Sequence, residues 1–261
     1  MCNGPSDDGG MATGSPDRGE AGPPAGPALI ADLVTANRIL FAQGVVDAFG
    51  HVSARHDKRP DRFLLARNMA PGLVTAEDIV EFDLDGNPVT AKGRRVYLER
   101  FIHGEIYRAR PDVMSVVHSH SPAVVPFGVV PSVPLRAVCH MSGFIGTAAP
   151  VFEIRDTAGP ATDLLIINQA LGAALAASLA DGLLVLMRGH GSTVVGGSVR
   201  QAVYRGVYTE VNANLQAAAL RLGPVTYLTS DEARTAMAST ETQVNRAWDL
   251  WARQARSNGP D

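Results

Sequence analysis

Val113-Met114-Ser115-Val116-Val117-His118-Ser119-His120 is an apolar run that closes on two histidines. It reads as a buried strand, and residues two apart on a strand face the same side. His118 and His120 therefore aim two imidazoles at one point. A second run, Leu183-Leu184-Val185-Leu186-Met187, leads into Arg188-Gly189-His190-Gly191, where His190 is placed to close a three-nitrogen site. Neutral imidazole is the commonest metal ligand, and three protein ligands with an open position make a catalytic site. One histidine at a strand end is more often a satisfied core or loop residue. Two apolar strands that both end in histidine favour the metal.

The chain around these runs alternates strands with helices. A helix from about Ala28 to Gln43 carries Leu29, Leu33, Ile39 and Leu40 broadly on one side, with Gly44 placed to stop it. Strand-like runs follow at His51–Arg55, Arg62–Ala66 and Ile79–Phe82, the last turning at Asp83-Leu84-Asp85-Gly86-Asn87. A helix from about Leu98 to Arg110 stops at Pro111. Pro122 opens a short helix, residues 131–163 are mostly loop with a short strand near Val151–Ile154, and Asn168–Ala180 is helical. After the second histidine strand, Thr193-Val194-Val195 is a partner strand. Ser198 and Gln201 then form a capping-box pattern ahead of a helix to about Leu222. A last helix, about Ser230–Arg256, carries Trp248 and Trp251. The pattern predicts an α/β sandwich around one mostly antiparallel sheet, because the first strands follow each other through short turns.

Composition narrows the function. The 261 residues are 46% hydrophobic and 19% charged with a formal net charge of −3, which gives no reason to expect nucleic acid or an anionic membrane as partner. No apolar stretch reaches the length of about 18 residues needed to span a bilayer. Cys2 and Cys139 make no disulfide framework. Without the basic-then-apolar layout of a secretory signal, a cytoplasmic location is expected. Residues 1–26 are dense in Gly, Pro, Asp and Ser and are expected to be disordered, leaving 27–261 as a single domain.

Metal chemistry also needs a group that moves protons. Glu99 starts the helix that runs back into the His118 strand, and His103 lies four residues on, on the same helical face. A carboxylate there is a fourth ligand, an acid or base displaced onto substrate, or a residue that merely complements the helix dipole. Burial would raise its pKa and a cation would lower it.

Four stretches, Gly50-His51-Val52-Ser53, Leu98-Glu99-Arg100-Phe101-Ile102-His103, Val117-His118-Ser119-His120 and Arg188-Gly189-His190-Gly191, give the chain from about Ala28 to Leu220 a resemblance to the class II aldolase/adducin family. The resemblance implies a three-layer α/β/α sandwich and a cyclic tetramer with active sites between subunits. It also implies one divalent metal per subunit (Mn, Fe, Co or Zn) on His118, His120 and His190. Glu99 becomes the catalytic acid/base. The adducin branch, a cytoskeletal binding module, generally lacks the metal histidines, so their presence argues for an enzyme.

Departures from the family's pattern bear on the substrate. Sugar-phosphate aldolases of the family grip phosphate with an Asn in a Gly-Asn-Val-Ser stretch, a Thr-Gly pair and two serines. His51, Arg67-Asn68 and Tyr97-Leu98 stand there instead. A phosphate cradle is lost, and an arginine, an imidazole and an aromatic ring replace it. Arg67 suits a carboxylate, Tyr97 suits a flat ring, and His51 a ring hydroxyl or carboxylate. His140, in Cys139-His140-Met141, falls near the place of the aldolases' catalytic tyrosine. The variant is similar to a subgroup that decarboxylates hydroxylated aromatic or pyridine dicarboxylates, such as a dihydroxyphthalate or hydroxypyridine dicarboxylate. The expected activity is thus that of a metal-dependent decarboxylase of an aromatic acid. An aldolase for a non-phosphorylated hydroxy-keto acid or sugar, a non-haem iron oxygenase and an adducin-like module are the rivals.

Overall fold

The computed structural model describes residues 22–257. In chain order, α1 is Pro27–Ala42, β1 His51–Arg55, β2 Arg62–Ala66, β3 Ile79–Asp83, α2 Arg100–Ala109, β4 Ser115–Ser119 and α3 Val125–Val129. Then come β5 Val151–Phe152, α4 Arg155–Ala158, α5 Gln169–Leu179, β6 Leu184–Met187, β7 Gly191–Gly196, α6 Val199–Leu222, α7 Ser230–Thr240 and α8 Val244–Ser257. The strands form one seven-stranded sheet in the order β3-β2-β1-β4-β7-β6-β5. Every pairing is antiparallel except β5 with β6.

Alternation along the strands divides the core into layers. Val116 joins Phe63, Leu65, Phe82 and Val195 under Ile102 and Ile106 of α2 and Leu171 and Leu175 of α5. Val117, one residue on, joins Val52, Ala54 and Leu64 against Leu33, Ile39 and Leu40 of α1, Val203 and Val207 of α6, and Trp248 and Trp251 of α8. The result is the three-layer α/β/α sandwich, with β4 at its centre. His118 shares the face of Val116, so it points into the α2 layer. The β1–β4 register sets His51 directly across from His118, and Ser53 across from Val116.

Two expectations are amended, and most of the segment that a third concerns lies outside the described residues. The single C-terminal helix is two helices, separated by a 3₁₀ turn at Glu241–Gln243. Thr240 turns its hydroxyl back onto the Ala236 carbonyl. Glu241 is drawn to Arg205 and Gln201 of α6, which bends the chain over that helix. At the start of α6, the Ser198 side chain accepts from the Gln201 amide, but Gln201 reaches back to the amide of Gly197 rather than that of Ser198. Finally, of the N-terminal segment, residues 1–21 lie outside the described residues. Gly26 donates its amide to the Asp57 carboxylate, Lys58 donates to the Pro24 carbonyl, and Ala25 packs on the α1 side of the core. Among the described residues, no helix is long and apolar enough to cross a membrane.

Candidate metal centre

Glu99, His118, His120 and His190 offer ligand atoms that all lie within 4.8 Å of one another, the one such group among the described residues. Three separate pieces of chain deliver them. His118 comes from β4 and His120 from just beyond its end, while Glu99 is the N-cap residue of α2. His190 sits in the turn between β6 and β7, between two glycines with different duties. Gly189 has φ +65°, a conformation other residues seldom adopt. At Gly191 a Cβ would stand 2.0 Å from the Ser119 carbonyl oxygen, so only glycine lets this turn close on the end of β4.

Backbone groups set the histidine protons. Nδ1 of His118 lies 3.2 Å from the Ser192 carbonyl and Nδ1 of His190 lies 2.8 Å from the Leu164 carbonyl. A carbonyl only accepts, so both rings carry their proton on Nδ1 and turn a bare Nε2 inward. His120 Nε2 stands 3.1 Å from His118 Nε2 and 2.9 Å from His190 Nε2. One proton on His120 Nε2 can be directed at only one of these nitrogens and leaves the lone pair of the other facing it without a donor. A cation among the three nitrogens removes that conflict, and first-row dications bind imidazole at about 2.0–2.1 Å. The donor set therefore fits a divalent metal. Glu99 completes it: Oε1 accepts from the Ile166 amide at 3.0 Å, and Oε2 lies 3.5 Å from Nε2 of both His118 and His190.

Burial works against charge on Glu99, but His118 and His190 outweigh it and hold the carboxyl far below the usual carboxylate range. Glu99 is an anion at neutral pH. Burial lowers His118, and it takes His120 down to about 4 with the help of its histidine neighbours. His190 goes the other way: burial opposes it, yet contact with Glu99 raises it.

A wall of rings runs from the cluster. The His51 ring lies tilted against two others, its centroid 5.0 Å from that of His118 and 4.6 Å from that of Tyr97. The Tyr97 hydroxyl donates to the Met69 carbonyl, so the face of the ring and not its polar end is turned to His51. Burial pushes that phenol up to about 12. Arg67 is close enough to Tyr97 to act on its charge. Its Nε donates to Asp78 at 2.7 Å, and its terminal nitrogens have no hydrogen-bond partner among the described residues. Asn68 is exposed, and its backbone amide donates to the Arg95 carbonyl. Across the cluster, exposed Phe49 lies 6.4 Å from the His120 ring.

Two residues stand elsewhere than the sequence suggested. His103 does not join Glu99; it lies behind His51, bonded to it at 2.7 Å and to Ser53 at 2.6 Å. Glu99 is the N-cap residue, with φ −86° and ψ 19° outside the helical repeat, so the i,i+4 relation that holds inside a helix does not bring its side chain onto the His103 face. His140 is exposed and lines a cavity with Tyr204, Tyr208, Arg246 and Trp251, without any of the four cluster residues. Sequence reading overlooked Ser53 and Tyr107, which bond each other at 2.7 Å. The signal was present in two same-face pairs, His51/Ser53 on β1 and His103/Tyr107 on α2.

Comparison with known proteins agrees with this geometry. The decarboxylase tropJ of Talaromyces stipitatus is 39% identical over 250 residues, covering 87% of this chain and 94% of that one. The 3,4-dihydroxyphthalate decarboxylase of Arthrobacter keyseri is 31% identical over 198 residues, covering 70% and 75%. An aldolase II superfamily protein from Pseudomonas syringae shares the fold at a TM-score of 0.71 and 22% identity, covering 88% of this chain and 93% of that one. Residues 31–217 match the family model described as the class II aldolase and adducin N-terminal domain, and the chain belongs to that family.

Proposed function

We propose that this protein is a metal-dependent lyase that decarboxylates a hydroxylated aromatic carboxylic acid. The observation that carries the reading is the set of three inward Nε2 atoms and the Glu99 carboxyl beside them, flanked by the rings of His51 and Tyr97. Two relatives at 39% and 31% identity bear decarboxylase names and support the reaction type; the second is named for a dihydroxyphthalate and supports the substrate class.

His118, His120 and His190 would hold the metal, with Glu99 as a further, displaceable ligand. When bound, the metal supplies a Lewis acid that withdraws electrons from the breaking carbon–carbon bond. The chain's own groups do the rest. The substrate ring lies against Tyr97. The free guanidinium edge of Arg67, or the His51 imidazole, takes a carboxylate. Glu99, seated beside the three histidines, first accepts the proton of the ring hydroxyl, which the bound metal would make more acidic. It then returns that proton to the ring carbon that bears the departing carboxylate. The carbon–carbon bond breaks, its electron pair restores the aromatic ring, and carbon dioxide leaves.

His140 lies outside this sequence of steps within one protomer. In a homotetramer with sites between subunits, which family membership leads us to propose, His140 would reach a cluster only on a neighbouring copy. Light scattering gives the oligomeric state directly.

The test is carbon dioxide release from a panel of ortho-hydroxy aromatic acids, with the protein supplied with manganese, iron, cobalt or zinc. Metal-dependent release from an aromatic acid is expected. Release of an aldehyde from a hydroxy-keto acid, with no carbon dioxide from any aromatic acid, would make the enzyme an aldolase. Oxygen consumption with ferrous iron would make it an oxygenase.

A further inference from the structure

Behind the metal cluster four buried side chains form a second hydrogen-bonded line. His51 Nδ1 meets His103 Nε2 at 2.7 Å, His103 Nδ1 meets Ser53 Oγ at 2.6 Å, and Ser53 Oγ meets the Tyr107 hydroxyl at 2.7 Å. Exposure of the four ranges from 0% to 4%, so solvent does not interrupt the line. Each member brings one proton to it, and the protons must all point the same way along it.

The far end decides which way. Tyr107 has a single phenolic proton, and Ser53 Oγ is the one side-chain partner of its hydroxyl among the described residues; the Val116 backbone also bonds that hydroxyl, and because it lowers the phenol's pKa it acts as an N–H donor and not as an acceptor. If Ser53 donated to Tyr107, that proton would be buried with no acceptor. A buried donor left unsatisfied is costly, whereas an oxygen with one lone pair unused is not. Tyr107 therefore donates to Ser53, Ser53 to Nδ1 of His103, and Nε2–H of His103 to Nδ1 of His51. His51 must keep its own proton on Nε2. That nitrogen has no hydrogen-bond partner among the described residues and is not sealed from solvent, which leaves it as the ring's one polar atom available to an incoming molecule.

We propose that Tyr107, Ser53 and His103 are positioning residues that fix His51 as a hydrogen-bond donor through Nε2, and that His51 so fixed recognises an anionic oxygen of the substrate. The opposite tautomer would turn a bare nitrogen to the same place, where it would repel a carboxylate oxygen and compete for the cation of His118. The choice of an aromatic acid as the owner of that oxygen rests on the function proposed above. The proton direction does not.

Nuclear magnetic resonance reads the direction without substrate. In the full-length, zinc-loaded protein labelled with nitrogen-15 histidine, the His51 signals are those lost in His51→Phe. Nε2 is expected to be protonated and Nδ1 bare; a protonated Nδ1 or a mixture of tautomers would overturn the proposal. Ser53→Ala removes the donor to His103 and should mix the two His51 tautomers. It should also weaken binding of salicylate, the probe, by about tenfold, and Ser53→Thr should restore both. Loss of salicylate affinity in Ser53→Ala with the tautomer unchanged would reduce Ser53 to a packing role and overturn the proposal. The wild-type spectrum decides the matter even if Ser53→Ala does not fold. Absence of salicylate binding to the wild-type protein would instead strike the substrate class, a failure separate from that of the proton direction.

Discussion

Two histidine systems share one face of the sheet, and they do opposite things with the same ring. In the cluster, backbone carbonyls of Ser192 and Leu164 take the Nδ1 protons of His118 and His190, which leaves Nε2 lone pairs directed inward. In the line behind it, side chains engage both nitrogens of His103 and Nδ1 of His51, which leaves His51 Nε2 alone free to donate. The identity of the residue is the same in both; the partner of its second nitrogen separates a metal ligand from a hydrogen-bond donor.

Removing a cluster ligand breaks the comparison most severely. His118→Ala or His190→Ala should drop bound metal from about one ion per chain to near zero and abolish turnover, since ligand count sets affinity. Metal content by mass spectrometry checks this, and retention of metal in either variant would remove that residue from the ligand set. Glu99→Gln comes next. It should keep the metal but slow turnover by about 10²–10⁴-fold, the usual worth of a group that transfers protons. Unchanged turnover would take Glu99 out of the mechanism.

A third test moves to the substrate wall. Arg67→Ala should raise KM about tenfold with little change in kcat, because its free edge contributes binding and not chemistry. An equal fall in kcat would show that Arg67 acts on the transition state.

The smallest effect concerns acid. Burial holds His103 down to about 3, against 6.5 for a free imidazole, so the unfolded chain takes up a proton there that the folded chain refuses. Stability from this site is complete above about pH 6.5 and declines as pH falls toward 3. Thermal unfolding of the metal-free protein across that range should show the decline, and His103→Gln should flatten it. An acid limb as steep in His103→Gln as in the wild type would assign the loss to other groups, His120 first.

The sheet was legible in the sequence because its strands are short apolar runs with clear ends, and β1, β2 and β4 follow from composition and turn residues alone. So was the convergence of His118, His120 and His190, since period two along β4 and a glycine-flanked turn after β6 leave few other arrangements. Glu99 beside them followed from the chain path through Arg110-Pro111-Asp112. What sequence could not supply were contacts made by backbone atoms far away in the chain. The Ser192, Leu164 and Ile166 groups that set the protons of His118 and His190 and the orientation of Glu99 carry no residue signature. The Asp78 partner of Arg67 was hidden for a related reason: it lies on the next strand's approach, eleven residues on, and its pairing depends on a register that only the folded sheet fixes. The break at Glu241 was illegible because it is imposed by Arg205 on another helix, not by any helix-breaking residue.

The most direct measurement is anomalous scattering at the metal edge from crystals of the protein grown with manganese or zinc. The account predicts one peak per chain, bonded to Nε2 of His118, His120 and His190 with Glu99 beside it. Crystals in which those three rings bind no ion, or in which the ion sits on other residues, would contradict it.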